Sequence, residues 1–192
     1  MEKPGIVLET KRLYIRPVQE MDKDAYMSIR VKNSDFTSAY HIWTEFYDEE
    51  WKCELESEDS VYLSVFQKDD YVLVASASVQ NYGHDTIELG YDVAEEYRNR
   101  GFATELLRAL TVWVHEEFPG IPVRVRIRSD NAASRRVVEK CGGRLSGNED
   151  SVIVKEILQI LKETNVKLTE PGMENIMKRI EEGKDQVLVY EV

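Results

Sequence analysis

The sequence predicts a single α/β domain with a mixed central β-sheet. Strand-like runs such as residues 122–128, where apolar and polar residues alternate, are interspersed with helix-like runs such as residues 101–118, where apolar residues recur every three or four positions. This order is typical of a sheet covered by helices. The length of 192 residues is enough for one sizeable core, so we expect one domain over residues 1–192.

The first half of the chain predicts a strand, two helices and three further strands. Residues 6–16 alternate around Leu13 and Ile15, which indicates one strand. A polar turn between two alternating runs indicates a hairpin. The predicted elements are a strand at 6–16, helices at 21–33 and 43–56, hairpin strands at 61–66 and 71–79, and a strand at 86–93.

The second half predicts helices that alternate with strands, then two amphipathic helices before a last strand. Pro119 and Gly120 stop the first helix, and Gly142 stands at the end of the second. The predicted elements are helices at 101–118 and 132–141, strands at 122–128 and 144–146, helices at 152–163 and from 171 onward, and a strand at 185–192.

Composition excludes several classes of function. The net charge of −11 argues against general binding of nucleic acid, which needs a basic surface. The chain has no apolar run long enough to span a membrane and no apolar signal core near its start, so we expect neither membrane insertion nor export. Cys53 and Cys141 lie far apart, which fits a reducing, cytoplasmic setting. His41, His84 and His115 are scattered, so no metal site is expected.

The most informative stretch is YRNRGFATE at residues 97–105, which joins a strand to a helix. It opens a basic segment, residues 97–145, with ten Lys and Arg against five Asp and Glu. A helix N-terminus offers unpaired N–H groups, and a glycine there lets a bulky anion approach. The loop therefore indicates a phosphate or pyrophosphate site, with a plain turn as the alternative. The Walker and Rossmann glycine motifs are both absent.

The loop also resembles a known family motif. Arg98-x-x-Gly101-x-Ala103 is similar to the (Q/R)-x-x-G-x-(G/A) motif of the GNAT superfamily of acetyl-CoA-dependent N-acetyltransferases. LETKRLYIRP, at residues 8–17, resembles the first strand of the branch that contains the ribosomal-protein N-terminal acetyltransferases. IELGYDV, at residues 87–93, resembles the fourth strand of that branch.

Two later motifs extend the resemblance. Asn131-x-x-Ser134, followed by VVEKCGG at residues 137–143, is similar to a helix of the same branch, and QVLVYEV near the end resembles its last strand. The motifs lie in the family's order. We therefore expect a GNAT-like fold whose mixed sheet splays at the fourth strand, with residues 148–184 as an added two-helix segment before the last strand.

The resemblance implies acetyl-CoA as the cosubstrate, its pyrophosphate held by backbone N–H groups of the loop. Asn131 would contact the pantetheine arm or order the preceding loop, and Ser134 would lie near it. The alternatives are a core anchor for Phe102, a helix cap for Asn131 and a surface position for Ser134. The implied donor-binding residues are Val93, Arg98, Arg100, Gly101, Phe102, Ala103, Asn131 and Ser134.

The resemblance also implies catalytic roles. The fourth strand would splay from its neighbour at a bulge, and the N–H near Val93 would stabilise the oxyanion. Glu88, on that strand, is the candidate general base, with a solvent-facing or ion-paired position as the alternative. Val138 stands where many members have the tyrosine that protonates the leaving thiolate, so Tyr91, Tyr190 or water would have to supply the proton.

The resemblance leaves the amine acceptor open between a peptide N-terminus and a small cationic molecule, and the reaction needs no metal. In this family the first two helices usually wall the acceptor site, and here they are rich in acid. That acid would attract a cation, or it would simply form a solvated face. The acidic residues are Glu45, Asp48, Glu49, Glu50, Glu54, Glu56, Glu58 and Asp59.

Residues 148–184 allow further interpretations. Core packing is expected for their two apolar faces, and covering the acceptor site or forming a homodimer contact are the alternatives. The added helices and the missing helix tyrosine also permit a catalytically idle acyl-CoA-binding or regulatory module. A third hypothesis is an interaction protein that docks through these helices.

Overall fold

The computed structural model describes residues 5–33, 40–150, 178 and 186–192, and it gives side-chain positions for most of them. Four helices and eight strands are described there. The helices are α1 (Lys23–Asn33), α2 (Tyr40–Glu56), α3 (Phe102–Glu117) and α4 (Ala132–Lys140). The strands are β1 (Leu8–Glu9), β2 (Leu13–Pro17), β3 (Val61–Gln67), β4 (Leu73–Gln80), β5 (Ile87–Val93), β6 (Val123–Arg128), β7 (Arg144–Asp150) and β8 (Gln186–Glu191).

All eight described strands form one mixed sheet in the order β1-β2-β3-β4-β5-β6-β8-β7. The pair β5–β6 is parallel, and every other described pair is antiparallel. The crossover between the two parallel strands is α3, as a parallel pair requires. The predicted α/β fold with a mixed sheet is therefore confirmed.

The sheet opens between β5 and β6. These strands pair only at Ile87–Val123 and Glu88–Arg124, so the rest of β5 has no neighbour on that side. Its other edge pairs with β4 in an unbroken register from Glu88 to Val93. The predicted splay is present, but the β4–β5 ladder shows no bulge. Because the pleat stays in phase, alternate side chains of β5 keep to opposite faces of the sheet.

A separate hydrophobic cluster lies on each face. The larger one joins the buried side of α3, including Leu106 and Leu110, to apolar side chains of β2 to β6 such as Leu89. The smaller one is formed by Tyr26, Met27 and Trp51 of α1 and α2. Alternation along β3 separates them, since Val61, Leu63 and Val65 join the first cluster and Tyr62 packs on the second.

The prediction of a single strand over residues 6–16 is wrong. The chain reverses at Thr10, whose N–H donates to the Leu13 carbonyl at 2.9 Å and whose hydroxyl accepts the Leu13 N–H at 2.8 Å. This separates β1 from β2, and the two strands pair antiparallel. A turn closed by a threonine side chain carries no glycine or proline signal, so alternation alone could not reveal it.

The other predicted elements are found with shifted ends. A 3-10 turn at Glu20–Asp22 precedes α1, and α2 begins at Tyr40. The short strand predicted at 144–146 extends to Asp150 and pairs with β8. The two helices predicted between 152 and 184 lie outside the described residues, except for Lys178, which is helical.

Candidate active site

The loop before α3 has the backbone conformation that the sequence predicts for an anion site. Gly101 precedes the helix with φ of 83°, in the left-handed region that favours glycine. Asn99 also lies in this region, with φ of 62°, and asparagine tolerates it better than most residues do. The loop therefore turns sharply into the first turn of α3.

This turn leaves a row of backbone donors without partners. Within the described ranges of the chain, no N–H group from Asn99 to Thr104 donates to a protein acceptor. The first N–H that does so is that of Glu105, which donates to the Gly101 carbonyl at 3.1 Å. Six successive free donors at a helix N-terminus are what an anion such as pyrophosphate needs.

The two arginines of the loop contact other groups of the described residues. The guanidinium of Arg98 donates through Nε to the Val93 carbonyl at 3.3 Å and through Nη2 to Oδ1 of Asn33. That of Arg100 lies 5.1 Å from the centroid of the Tyr97 ring. Arg98 therefore ties the loop to the ends of β5 and α1.

Val93 lies where β5 has separated from β6. The Ala94 N–H donates to the Val74 carbonyl at 2.9 Å, which makes this a hydrogen-bonded pair of the β4–β5 ladder. Because hydrogen-bonded pairs alternate along an antiparallel ladder, Val93 and Tyr91 direct their N–H groups away from β4. Both N–H groups therefore face the gap between β5 and β6.

Tyr91 and Ser134, both predicted as site residues, are in contact. The phenol of Tyr91 donates to the Ser134 carbonyl at 3.4 Å. Burial raises the pKa of Tyr91 to about 12, so its hydroxyl is protonated at neutral pH. Asn131 caps α4, since its Oδ1 accepts the Ser134 N–H at 3.0 Å. The cap that was one interpretation of Asn131 is therefore present.

Glu88 lies on the opposite face of β5 from Tyr91, because the two residues are three positions apart on the strand. Its carboxylate is 3.4 Å from Nε of Arg124, and its side chain is 18% exposed. Burial raises the pKa of Glu88, and Arg126 and Arg124 lower it only in part, so it stays above the ordinary value. The ion pair that was the alternative to a catalytic role is present, and the raised pKa is the property a base needs.

Sequence reasoning missed a second carboxylate on this face. Asp92 precedes Val93, and its Oδ1 accepts from Nδ2 of Asn33 at 3.3 Å. The same amide group donates to the Val93 carbonyl at 3.1 Å. Burial raises the pKa of Asp92 despite Arg30 and the other polar groups near it. No motif marks Asn33, which reaches the site only through the packing of α1 on the sheet.

Part of the negative charge on α2 is neutralised by basic side chains of α1. Nη2 of Arg30 lies 3.0 Å from Glu50 and 3.2 Å from Glu54, and Lys23 lies 2.6 Å from Asp48. Glu54 is 3% exposed, and burial raises its pKa to about 7 despite Arg30. These three carboxylates are therefore less available to attract a cation than the sequence suggests.

A groove of about 760 Å³ runs along α3, from the turn between β1 and β2 to the end of α4. Its lining includes Gly101 at the mouth of the loop and the cations Arg12, Arg108 and Lys140. Their charges are balanced by Glu9, Glu105 and Glu116 in the same lining. The groove meets the outer side of the loop, whereas the gap between β5 and β6 lies outside it.

The described part of the chain lacks two kinds of feature. None of its helices is long and apolar enough to cross a bilayer. No group of three or more His, Cys, Asp and Glu side chains there is arranged to hold a metal ion.

The sequence matches the model of the acetyltransferase (GNAT) domain over residues 12–144. A relative from Bacillus subtilis (strain 168), described as probable N-acetyltransferase YjcK, is 21% identical over 149 residues, which is 71% of this chain and 82% of that protein. The fold is similar to that of RimL, the ribosomal L7/L12 α-N-protein acetyltransferase in complex with coenzyme A. The TM-score is 0.68, with 14% identity over 97% of each chain.

A spermidine N-acetyltransferase, SpeG from Vibrio cholerae, has the same fold, with a TM-score of 0.62, 12% identity, and 95% of this chain and 94% of that chain covered. The domain match spans well over half of the sequence, and the strand order, the splay and the loop before α3 agree with it. The chain therefore belongs to the GNAT acetyltransferase family and is an N-acetyltransferase that uses acetyl-CoA.

Proposed function

We propose that this enzyme acetylates a primary amine, either a peptide N-terminus or a small cationic molecule, by direct attack on acetyl-CoA with assistance from a general base. The observation that carries the proposal is the row of free N–H groups from Asn99 to Thr104 beside the open edge of β5. The loop would bind the pyrophosphate, and the gap would admit the pantetheine arm.

Acetyl-CoA would be held mainly by backbone groups. The N–H groups of residues 100–103 suit phosphate oxygens, and the dipole of α3 adds to the attraction. Amides of pantetheine would pair with the free edge of β5. The alternation of hydrogen-bonded pairs along the β4–β5 ladder turns the N–H groups of Tyr91 and Val93 toward the gap. The Val93 N–H would then stabilise the negative charge that develops on the thioester oxygen.

Glu88 would accept the proton of the attacking amine, and its burial supports this role. Glu88 lies five positions before Val93, about 17 Å along an extended strand, so it would act through a chain of water molecules. Asp92 is a second candidate because it lies on the same face beside Val93 and its pKa is also raised. The amine nitrogen bonds to the acyl carbon, the C–S bond breaks, and the base keeps the proton.

The leaving thiolate would take a proton from Tyr91 or from water. Val138 is fully buried in the core, so that position of α4 supplies no acid. The phenol of Tyr91 lies on the α4 side of β5, and its raised pKa keeps the proton available at neutral pH. Tyr190 is a weaker choice, since it lies on β8 and its hydroxyl donates to Glu139 of α4 at 3.3 Å.

The acceptor class follows from the relatives and from the charge on α2. RimL acts on a ribosomal protein and SpeG on spermidine, and both share this fold. The ion pairs of Asp48, Glu50 and Glu54 reduce the field that would select a polyamine over a peptide. We therefore keep both kinds of amine as candidates.

Release of free thiol from acetyl-CoA tests the proposal, over a panel of N-terminal peptides, polyamines and aminoglycosides. We expect turnover above the acceptor-free rate with at least one class, and a product heavier by one acetyl group in mass spectrometry. Saturable binding of acetyl-CoA without turnover on the whole panel would favour an idle acyl-CoA-binding module. Absence of acetyl-CoA binding would contradict the proposal altogether.

A further inference from the structure

We propose that Arg12 is a positioning residue that orients the anion-binding loop from the turn between β1 and β2. The inference rests on the proposed function, because it concerns how the loop is kept ready for the pyrophosphate of acetyl-CoA. Arg12 lies far from the loop in sequence and belongs to a different strand pair, yet it contacts both the loop and the first turn of α3.

Arg12 and Thr10 together occupy both carboxylate oxygens of Glu105. Oε1 accepts the Thr10 hydroxyl at 2.6 Å and the Arg12 N–H at 2.8 Å. Oε2 accepts Nε of Arg12 at 2.7 Å. Burial raises the pKa of Glu105, but these hydrogen bonds outweigh it, so the pKa lies below its ordinary value and the group is ionised at neutral pH.

An ionised Glu105 in the first turn of α3 poses an electrostatic problem. A free carboxylate there would compete for the same N–H groups as a phosphate and would repel it. The pairing with Arg12 neutralises this charge and keeps the carboxylate oxygens turned to the β1–β2 side. The N–H groups of the loop therefore remain available to an external anion.

Arg12 also sets the orientation of a peptide group in the loop. Its Nη1 donates to the Arg100 carbonyl at 2.9 Å. The peptide bonds described are all trans, so the N–H of Gly101 points opposite to that carbonyl and away from Arg12. Without the hydrogen bond, this peptide could rotate between two glycine-permitted arrangements, and only one of them presents the Gly101 N–H to the anion.

Packing completes the contact. The Arg12 guanidinium lies 4.5 Å from the centroid of the Phe102 ring. Its Nη2 lies 3.4 Å from where a Cβ at residue 101 would be, so the Arg12 side chain is in van der Waals range of this loop position. The Arg12 side chain is 39% exposed, and ion pairs this accessible add little to global stability. We therefore expect its loss to alter the loop rather than the fold.

The test compares two acetyl donors, one with and one without the pyrophosphate that the loop would hold. Arg12→Gln should raise the Kd of CoA about tenfold and change kcat with acetyl-CoA by less than about twofold, since the reacting atoms lie elsewhere. With S-acetylpantetheine, which has no pyrophosphate, kcat/KM should be unchanged. Equal losses with both donors, or an unchanged Kd for CoA, would overturn the proposal.

Conservative and compensating variants separate positioning from simple attraction by a cation. Arg12→Lys keeps the charge but lacks the planar guanidinium that donates both to Glu105 and to the Arg100 carbonyl. It should therefore lose nearly as much CoA affinity as Arg12→Gln. Adding Glu105→Gln to Arg12→Gln should restore part of the affinity, because the carboxylate that repels phosphate is gone. Full affinity in Arg12→Lys, or no recovery in the double variant, would contradict the positioning role.

Lys68→Gln is the matched control. Lys68 forms an exposed ion pair with Glu9 of β1 at 2.8 Å and holds the same segment without touching α3. The CoA affinity of Lys68→Gln should equal that of the unaltered protein.

If Arg12→Gln fails to fold, Thr10→Val removes one hydrogen bond to Glu105 and should also raise the Kd of CoA. Failure of the unaltered protein to bind CoA would contradict the proposed function itself, whereas equal binding by both proteins contradicts this inference alone.

Discussion

The two sides of β5 are built in different ways. On the α3 side, the groups suited to the donor are backbone N–H groups, and their positions follow from one left-handed glycine and the start of a helix. On the α1 side, the groups suited to an acceptor are side chains such as Glu88 and Asp92, placed by contacts with other elements. Local sequence can specify the first kind of site, while the second depends on tertiary packing.

The largest effect on acetyl-CoA binding should come from a change in the loop before α3. Gly101→Asp places a side chain at φ of 83° and a negative charge among the free N–H groups, so CoA affinity should fall at least about a hundredfold. Isothermal titration measures it. Gly120→Asp is a control with the same φ of 83° in an open turn, and it should keep its affinity for CoA. Wild-type affinity in Gly101→Asp would show that the loop does not hold the donor.

Substitution of the carboxylates on the α1 side of β5 should affect catalysis and leave the binding of acetyl-CoA intact. Glu88→Gln should lower kcat by about 10²–10⁴-fold and remove the acidic limb of the pH–rate profile. In the unaltered enzyme that limb should rise with pH through a pKa above the ordinary glutamate value, since the base works when deprotonated. Asp92→Asn should keep the limb. The reverse pattern would move the role of the base to Asp92.

The proton donor should have a smaller effect, because water can replace it. Tyr91→Phe keeps the ring packing and removes the hydroxyl near Ser134, so kcat should fall about tenfold with the KM of acetyl-CoA unchanged. A loss confined to KM would instead assign Tyr91 to donor binding.

The smallest effect concerns stability on the α1 side. The pKa of Glu54 is about 7 in the fold and near 4.5 when unfolded, so the native state binds more protons between these values. Stability from this group is therefore lost as pH rises from about 4.5 to 7, by about 3 kcal/mol at most. Thermal melts of Glu54→Gln should show a weaker fall over this range. An identical pH dependence would mean that Glu54 titrates normally.

The same contrast explains what could be predicted from the sequence. Most of the order of elements along the chain, α3 and the loop follow from periodicity and from Gly101, which act over a few residues. The link from Asn33 to Asp92 and Val93 spans about sixty positions and depends on how α1 lies on the sheet. The pairing of Arg30 with Glu50 and Glu54 likewise depends on the packing of two helices. Acidic composition alone therefore overstated the charge open to an acceptor.

The role of LETKRLYIRP could be predicted from the sequence only in part. The motif was a sign of the family, but its alternation predicted one strand and gave Thr10 and Arg12 no function. In the fold, these two residues close a turn and bind Glu105 on α3. Their spacing suits a turn whose side chains face a distant helix, and only the tertiary structure identifies that helix.

We propose that binding of acetyl-CoA and removal of the amine proton take place on opposite sides of β5 and are separable. Titration of CoA into the double variant Glu88→Gln with Asp92→Asn, together with its turnover of acetyl-CoA, tests this directly. We predict a Kd within about twofold of the unaltered protein and loss of nearly all turnover, because neither carboxylate belongs to the loop. Loss of CoA affinity along with turnover, or turnover that survives both substitutions, would contradict the claim.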